Sequence, residues 1–305
     1  MTNPLTLKLA KTMRHWVLGL RRAAHTSIWN VMEFPADRPV FVIGCSRAGT
    51  TVVYKTLSHS NELGTLNRET HDFWADLHPL SSRNWDTHGL GPEDATTEIR
   101  TLVTRYFYGH TGKSRWVDKN NQNGLCVAYL DRLFPDAKFV YIKRCPGDNL
   151  NSLIEGWGKP DEFATWSMNL PVDIDIEPGH RRWCFFLAPG WRDYTHASIE
   201  EVCAFQYEAI NRAIIATRPS VPNDRWIEVR YEHLVQDPVS TFRDVFRACD
   251  LSFGEREEAH CRGVLSRPYN AFSAIEVDKW KSSPNRARIE RVLPRLRQIS
   301  AEMGY

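Results

Sequence analysis

Pro39-Val-Phe-Val-Ile-Gly-Cys-Ser-Arg-Ala-Gly-Thr-Thr-Val-Val-Tyr-Lys-Thr-Leu57 decides the fold, because an apolar run feeds a glycine-bounded turn that opens directly into a helix-like segment. Such a strand, turn and helix form a phosphate cradle. Glycines at 44 and 49 let the backbone wrap closely around an anion, and the following helix offers unpaired N–H groups and the positive end of its dipole. The spacing Gly44-x4-Gly49 matches the P-loop, but Thr50 stands where G-x-x-x-x-G-K-S/T has its lysine. Arg47, inside the loop, is the cation that can replace it, and its planar fork suits bidentate contact with an oxyanion.

Outward from this stretch, short apolar runs at Val40 to Ile43, Arg115 to Val117, Lys138 to Ile142 and Trp226 to Val229 read as buried parallel strands. Helical patterns alternate with them at about 50–58, 93–107, 124–134, 147–157, 198–217 and 238–249, with a last one near 284–302. The expected fold is therefore α/β: a P-loop-type doubly wound sheet of mainly parallel strands flanked by helices, with ligands beyond the carboxyl ends of the strands. Residues 70–92 and 159–197 break the alternation. Both are rich in Pro, Gly, Trp, His and Asp without a clear period, and such long irregular excursions serve as substrate walls or lids.

Composition excludes some partners. The 305 residues, 42% apolar, suffice for a full core, and a net charge of +2 lacks the broad basic face a nucleic acid requires. Residues 1–38 form a basic amphipathic helical region: Lys8, Lys11, Arg14, Arg21 and Arg22 lie among Leu5, Leu9, Met13, Trp16, Val17 and Leu20, with no acid in the first 25 residues. Such a helix either packs on the protein body or makes peripheral contact with an anionic membrane through residues 1–30. Without a membrane-crossing run or secretory signal, the expected location is cytoplasmic, with peripheral contact at a membrane as the second option. Seven scattered cysteines without a C-x-x-C pair suggest neither a disulfide framework nor a zinc site. Nor does the spacing of His71, Asp72, Asp76 and His78 fit a common metal site, so no metal is expected.

A second strand, loop and helix reads Lys138-Phe-Val-Tyr-Ile-Lys-Arg-Cys-Pro-Gly-Asp-Asn-Leu-Asn-Ser-Leu153. Arg144 ends the strand, Pro146 suits a first helical turn, and Ser152 falls eight residues after Arg144, so the pair can grip another phosphate. With this second loop the chain resembles the sulfotransferases that use 3′-phosphoadenosine 5′-phosphosulfate (PAPS), especially the bacterial type with a G-x-P-R-S-G-T-T loop. The similarity continues through Trp116-Val-Asp-Lys119, Leu133-Phe-Pro-Asp-Ala-Lys138, Pro189-Gly-Trp191, Arg230-Tyr-Glu-His-Leu234 with Asp237-Pro238, Lys279-Trp280 and Gly304-Tyr305. A sulfotransferase domain over 39–305 follows.

The resemblance implies that Arg47, Ala48, Gly49, Thr50 and Thr51 bind the 5′-phosphosulfate, and that Arg144 and Ser152 hold the 3′-phosphate. It places Tyr231 near the adenine and Lys279 and Lys281 in the stretch that completes the 3′-phosphate pocket. Ser46, Ala48 and Cys145 replace the family's proline, serine and aspartate, yet none removes a required cation or backbone N–H. Val52 stands where some members stack a tryptophan on the base.

Sulfuryl transfer needs in-line attack by an acceptor hydroxyl, cations on the equatorial and leaving oxygens, and a base for the hydroxyl proton. The resemblance assigns the cationic work to Arg47 and Lys119. Asn121 stands where cytosolic members carry a basic histidine, and Asn67-Arg-Glu-Thr-His-Asp-Phe-Trp74 resembles the stretch in bacterial and carbohydrate members that supplies a glutamate, so the resemblance implies Glu69 as the base, with His71 as runner-up. Arg68 and His71 are expected to orient the Glu69 carboxylate, and partial burial to raise its proton affinity. The tryptophans at 74, 85, 157, 166, 183 and 191, with Phe163, Phe185 and Phe186, can line a pocket for a small-molecule, lipid or carbohydrate acceptor. Two other readings share the cradle: a P-loop kinase or NTPase, and a non-catalytic nucleotide-binding, membrane-associated protein.

Overall fold

The computed structural model of the protein describes residues 4–266, 269 and 275–305, and of residues 4–15 the backbone alone. Four strands, β1 (Val40–Ile43), β2 (Val117–Lys119), β3 (Lys138–Lys143) and β4 (Trp226–Arg230), form one parallel sheet in the order β2-β1-β3-β4. All four residues of β1 are buried, as are all but the last of β3, which is why both read as continuous apolar runs. Around the sheet lie α2 (Thr50–Leu57), α3 (His71–Leu77), α4 (Thr97–Thr111), α5 (Val127–Leu133), α6 (Pro146–Trp157), α7 (Pro160–Phe163), α8 (Ile199–Thr217), α9 (Tyr231–Gln236), α10 (Pro238–Ala248), α11 (Glu255–Arg262), α12 (Arg286–Val292) and α13 (Arg297–Glu302).

Three boundaries differ from the sequence reading, each for a local reason. The strand expected at 115–117 runs instead over Val117–Lys119, in register with Val40 to Val42 of β1. Asp118 and Lys119 look like strand-ending charges, yet both are buried because each has partners in the fold. The helix expected from 93 starts at Thr97, where the Thr96 side chain caps the Ile99 N–H at 3.2 Å. The last helix is broken at Leu293–Leu296, a 3₁₀ turn containing Pro294, because a proline cannot donate to the preceding turn.

The amino-terminal helix α1 (Pro4–Met32) packs on the protein body at one end. Its end packs against α4, where Trp29 is buried and His25 Nδ1 lies 3.3 Å from the Gly109 carbonyl. Its outer side leaves Trp16, Val17, Leu18, Leu20, Ile28, Val31 and Met32 exposed. The side chains of Lys8, Lys11 and Arg14 lie outside the described residues. No described helix is long and apolar enough to cross a membrane.

Asp118 anchors the irregular segment that precedes α3. Its carboxylate accepts from Thr70 Oγ1 at 2.6 Å, Trp74 Nε1 at 3.1 Å and Asn123 Nδ2 at 3.4 Å. Burial pushes this carboxyl's pKa up despite those donors. Asp118→Ala strands three buried donors and is expected to cost about 2–4 kcal/mol in urea unfolding, since one unpaired buried donor alone costs about 1–3 kcal/mol. Asp118→Asn, which keeps one acceptor oxygen, is expected to lose less. A loss under about 1 kcal/mol for the alanine variant would show the segment is held by other contacts.

Candidate active site

The cradle forms where β1 ends. A side chain at Gly44 (φ 150°) would place Cβ 2.5 Å from the Ile142 carbonyl oxygen, and one at Gly49 (φ 105°) would strike the Tyr231 ring at 2.7 Å. Both positions require glycine. Arg47 itself adopts φ 68°, a left-handed conformation uncommon for a branched cation. The turn is fixed from behind: Asn149 Nδ2 donates to the Ser46 carbonyl at 2.9 Å and Arg144 Nη1 to the Arg47 carbonyl at 3.0 Å. The Ala48 N–H donates within the turn to Cys45 O at 3.1 Å, so that expected anion donor already has an acceptor.

Parallel pairing brings the two arginine loops to one cavity. Arg47, Gly49, Thr50, Thr51, Lys119, Arg144, Ser152, Tyr231 and Lys279 all line it. Arg144 lies over the Tyr231 ring at 4.1 Å, and its Nε is buried without a hydrogen-bond partner among the described residues. Ser152, expected beside Arg144, instead accepts from Arg47 Nε at 3.3 Å. Burial first, and then repulsion from Arg144, pushes the Arg47 pKa down to about 10. Two guanidinium groups in one cavity, that of Arg144 buried and that of Arg47 half-buried, repel each other unless an anion lies between them.

Lys279 reaches this cavity through Asp148, which sequence reading missed because it resembles an ordinary first-turn acid. The buried Asp148 carboxylate accepts the Asp278 N–H at 2.7 Å and the Trp280 N–H at 3.0 Å. The Trp280 indole lies against Gly147, where a Cβ would be only 2.4 Å from it. Lys281 pairs with Asp278 at 2.9 Å on the exposed side and is not among the cavity's lining residues.

Lys119 and Glu69 form an ion pair at 2.5 Å, with Lys119 Nζ also 3.4 Å from Thr51 Oγ1. Lys119 therefore links the phosphate loop to the candidate base. Burial pushes the Glu69 carboxyl up, as expected from the sequence, but the charge and hydrogen bond of Lys119 outweigh it, aided by His71 and the Asn121 N–H. The net shift is downward, which corrects the expectation of a raised proton affinity. The expected orienting role of Arg68 also moves: Arg68 Nη1 bonds the Glu69 backbone carbonyl at 3.2 Å, not the carboxylate. Lys119 holds the carboxylate instead.

On the far side of Glu69 opens a second cavity of about 640 Å³. Glu69, Asn121, Phe163 and Phe185 line both spaces, so the two meet at this carboxylate. Its walls include Trp85, Trp166, His71 and His88, the last absent from the sequence reading. Trp157, Trp183, Trp191 and Phe186 are instead fully buried core. Removing the Lys119 charge leaves burial dominant at Glu69. In Lys119→Met, ¹³C carboxyl titration is expected to find the Glu69 pKa above the ordinary carboxylate value, and a pKa still depressed would assign the shift to another group.

The comparisons show the family and the fold. A sequence model of the Sulfotransferase family matches residues 39–255, well over half of the chain. No curated protein matches the sequence significantly. Among solved structures, the fold is similar to the sulfotransferase domain of the Synechococcus PCC 7002 olefin synthase, at TM-score 0.50 and 18% identity over 89% of this chain and 96% of that one. It is also similar to a Mycobacterium avium sulfotransferase, at TM-score 0.51 and 15% identity over 91% and 81% of the two chains. At these identities the structures speak for the fold alone. The matched family, which spans both arginine loops and the Glu69–Lys119 pair, makes this chain a member of the Sulfotransferase family.

Proposed function

We propose that this sulfotransferase takes its sulfuryl group from PAPS and transfers it to a hydroxyl of an acceptor bound in the second cavity. The observation that carries the reading is the Glu69–Lys119 pair at the junction of two cavities, one lined by cations and one by aromatic rings. The residues present fit the donor. The Gly44 and Gly49 cradle cannot tolerate side chains, and the buried Arg144 Nε lacks an acceptor, as a phosphate site requires.

In this reading Arg47, the amides of Gly49, Thr50 and Thr51, and Lys119 hold the phosphosulfate end. Ala48 supplies the turn rather than a contact. Arg144, Ser152 and Lys279 hold the 3′-phosphate, with Tyr231 beside the base. Lys281 has no part. PAPS, when bound, supplies an electrophilic sulfur and a phosphate leaving group. The rest is positioning and charge. Lys119 bridges the loop and the base, so it can offset charge on the transferring oxygens while keeping the Glu69 carboxylate ionised. Glu69, deprotonated and facing the acceptor cavity, takes the hydroxyl proton. His71 lines the same cavity as an exposed neighbour paired with Asp72 at 3.2 Å, which supports Glu69 over His71 as the base.

The aromatic walls support a small-molecule, lipid or carbohydrate acceptor with an apolar face. The exposed apolar side of α1, beside Arg21 and Arg22 and with no acid before Glu33, supports peripheral contact with an anionic membrane. The described cation loops and the absence of a loop lysine give no support to ATP chemistry.

Glu69→Gln is expected to retain calorimetric binding of 3′-phosphoadenosine 5′-phosphate while losing on the order of 10²–10⁴-fold in transfer from radiolabelled PAPS across an acceptor panel. Full activity would remove Glu69 from the mechanism. For the membrane, co-sedimentation with phosphatidylserine-containing vesicles is expected for the full chain and lost on deletion of residues 1–30. Equal pelleting with and without them would refute that contact.

A further inference from the structure

Resting on the reading of the second cavity as the acceptor site, we propose that His88 is a specificity-determining residue. Its imidazole presents a fixed Nε2–H donor to an oxygen of the acceptor remote from the reacting hydroxyl. The acceptor class is then a hydroxyl compound with an aromatic or apolar body that carries a carbonyl, ether or second hydroxyl oxygen.

The tautomer follows from the backbone. The Leu187 N–H donates to His88 Nδ1 at 2.8 Å, and the His88 N–H donates in turn to the Leu187 carbonyl at 3.0 Å. With Nδ1 accepting, the ring proton sits on Nε2. That N–H has no acceptor among the described residues, although His88 is only 7% exposed and lines the cavity wall with Trp85, Trp166 and Phe185. The Trp166 indole meets the His88 ring edge to face at 4.8 Å, and its own N–H is buried without an acceptor. The Trp166 N–H is left without an acceptor among the described residues, and a ligand oxygen in this cavity can accept from the His88 N–H beside it. Burial, with Arg83 nearby, pushes the His88 pKa down to about 3, so the ring stays a neutral donor and does not compete with Glu69 as base.

Two measurements test this. Long-range ¹H–¹⁵N correlation on the intact protein is expected to find His88 as the neutral Nε2–H tautomer throughout pH 5 to 8. An Nδ1–H tautomer, or titration within that range, overturns the proposal whether or not any acceptor is known. The second measurement is equilibrium binding of 4-hydroxybenzophenone and 4-benzylphenol, which differ by a carbonyl in place of a methylene, to protein saturated with 3′-phosphoadenosine 5′-phosphate. The ketone is expected to bind about tenfold more tightly, as one added hydrogen bond gives. In His88→Asn, whose side-chain oxygen can still accept from Leu187, that preference is expected to fall below about twofold with nucleotide affinity unchanged. Equal retention of the two phenols by the wild type, bound or not, overturns the proposal, as does an undiminished preference in the variant. Because the readout is binding, failure of sulfuryl transfer from PAPS would refute the donor assignment and leave the His88 result separately legible.

Discussion

Everything at the candidate active site depends on parallel pairing of β1 with both of its neighbours. Val40 to Val42 pair with Val117 to Lys119 on one side, and Val40 to Ile43 with Lys138 to Tyr141 on the other. Because all strands run the same way, their carboxyl ends lie on one edge of the sheet. That edge receives the glycine cradle from β1, Lys119 from β2 and Arg144 from the end of β3. Three cations, Arg47, Lys119 and Arg144, whose first and last members are 97 residues apart, thus enter one cavity without any loop having to find another.

Concentrating cations in this way has an electrostatic cost, and the surrounding side chains distribute it. Glu69 neutralises Lys119 at 2.5 Å, while the Tyr231 face lies against Arg144 at 4.1 Å. The guanidinium of Arg47 remains beside that of Arg144, with its pKa lowered to about 10 by burial and repulsion. The acids Glu155 and Glu162 act on Arg47 in the opposite sense.

The second cavity is organised on a different principle. There the backbone of 183–188 and the excursion before α4 are tied through His88 and Leu187, and aromatic rings supply the walls. Asp118 ties Thr70 and Trp74, which bracket the lining residues His71 and Asp72, to the sheet, one residue before Lys119 reaches the other way into the cation cavity. Adjacent residues of β2 point to opposite faces, so one short strand supports both halves of the site.

The chain's own residues determined the strand, cradle and helix at 40–57, the second arginine loop at 138–153 and the alternation that makes the sheet parallel. These are local signals: apolar runs, glycines bounding a turn, a proline opening a helix. Arg47 and Arg144 were legible because they sit in such signals, whereas Lys119 and Glu69 were reached only through the resemblance to the family. Tertiary structure alone decided what those residues meet. Ser152 pairs with Arg47 rather than Arg144, Lys119 rather than Arg68 holds the Glu69 carboxylate, and Asp148 and His88 gain their positions from backbone N–H groups 130 and 99 residues away. The physical reason is that a pKa or a tautomer depends on burial and on the nearest donor in space, and neither quantity is written along the chain.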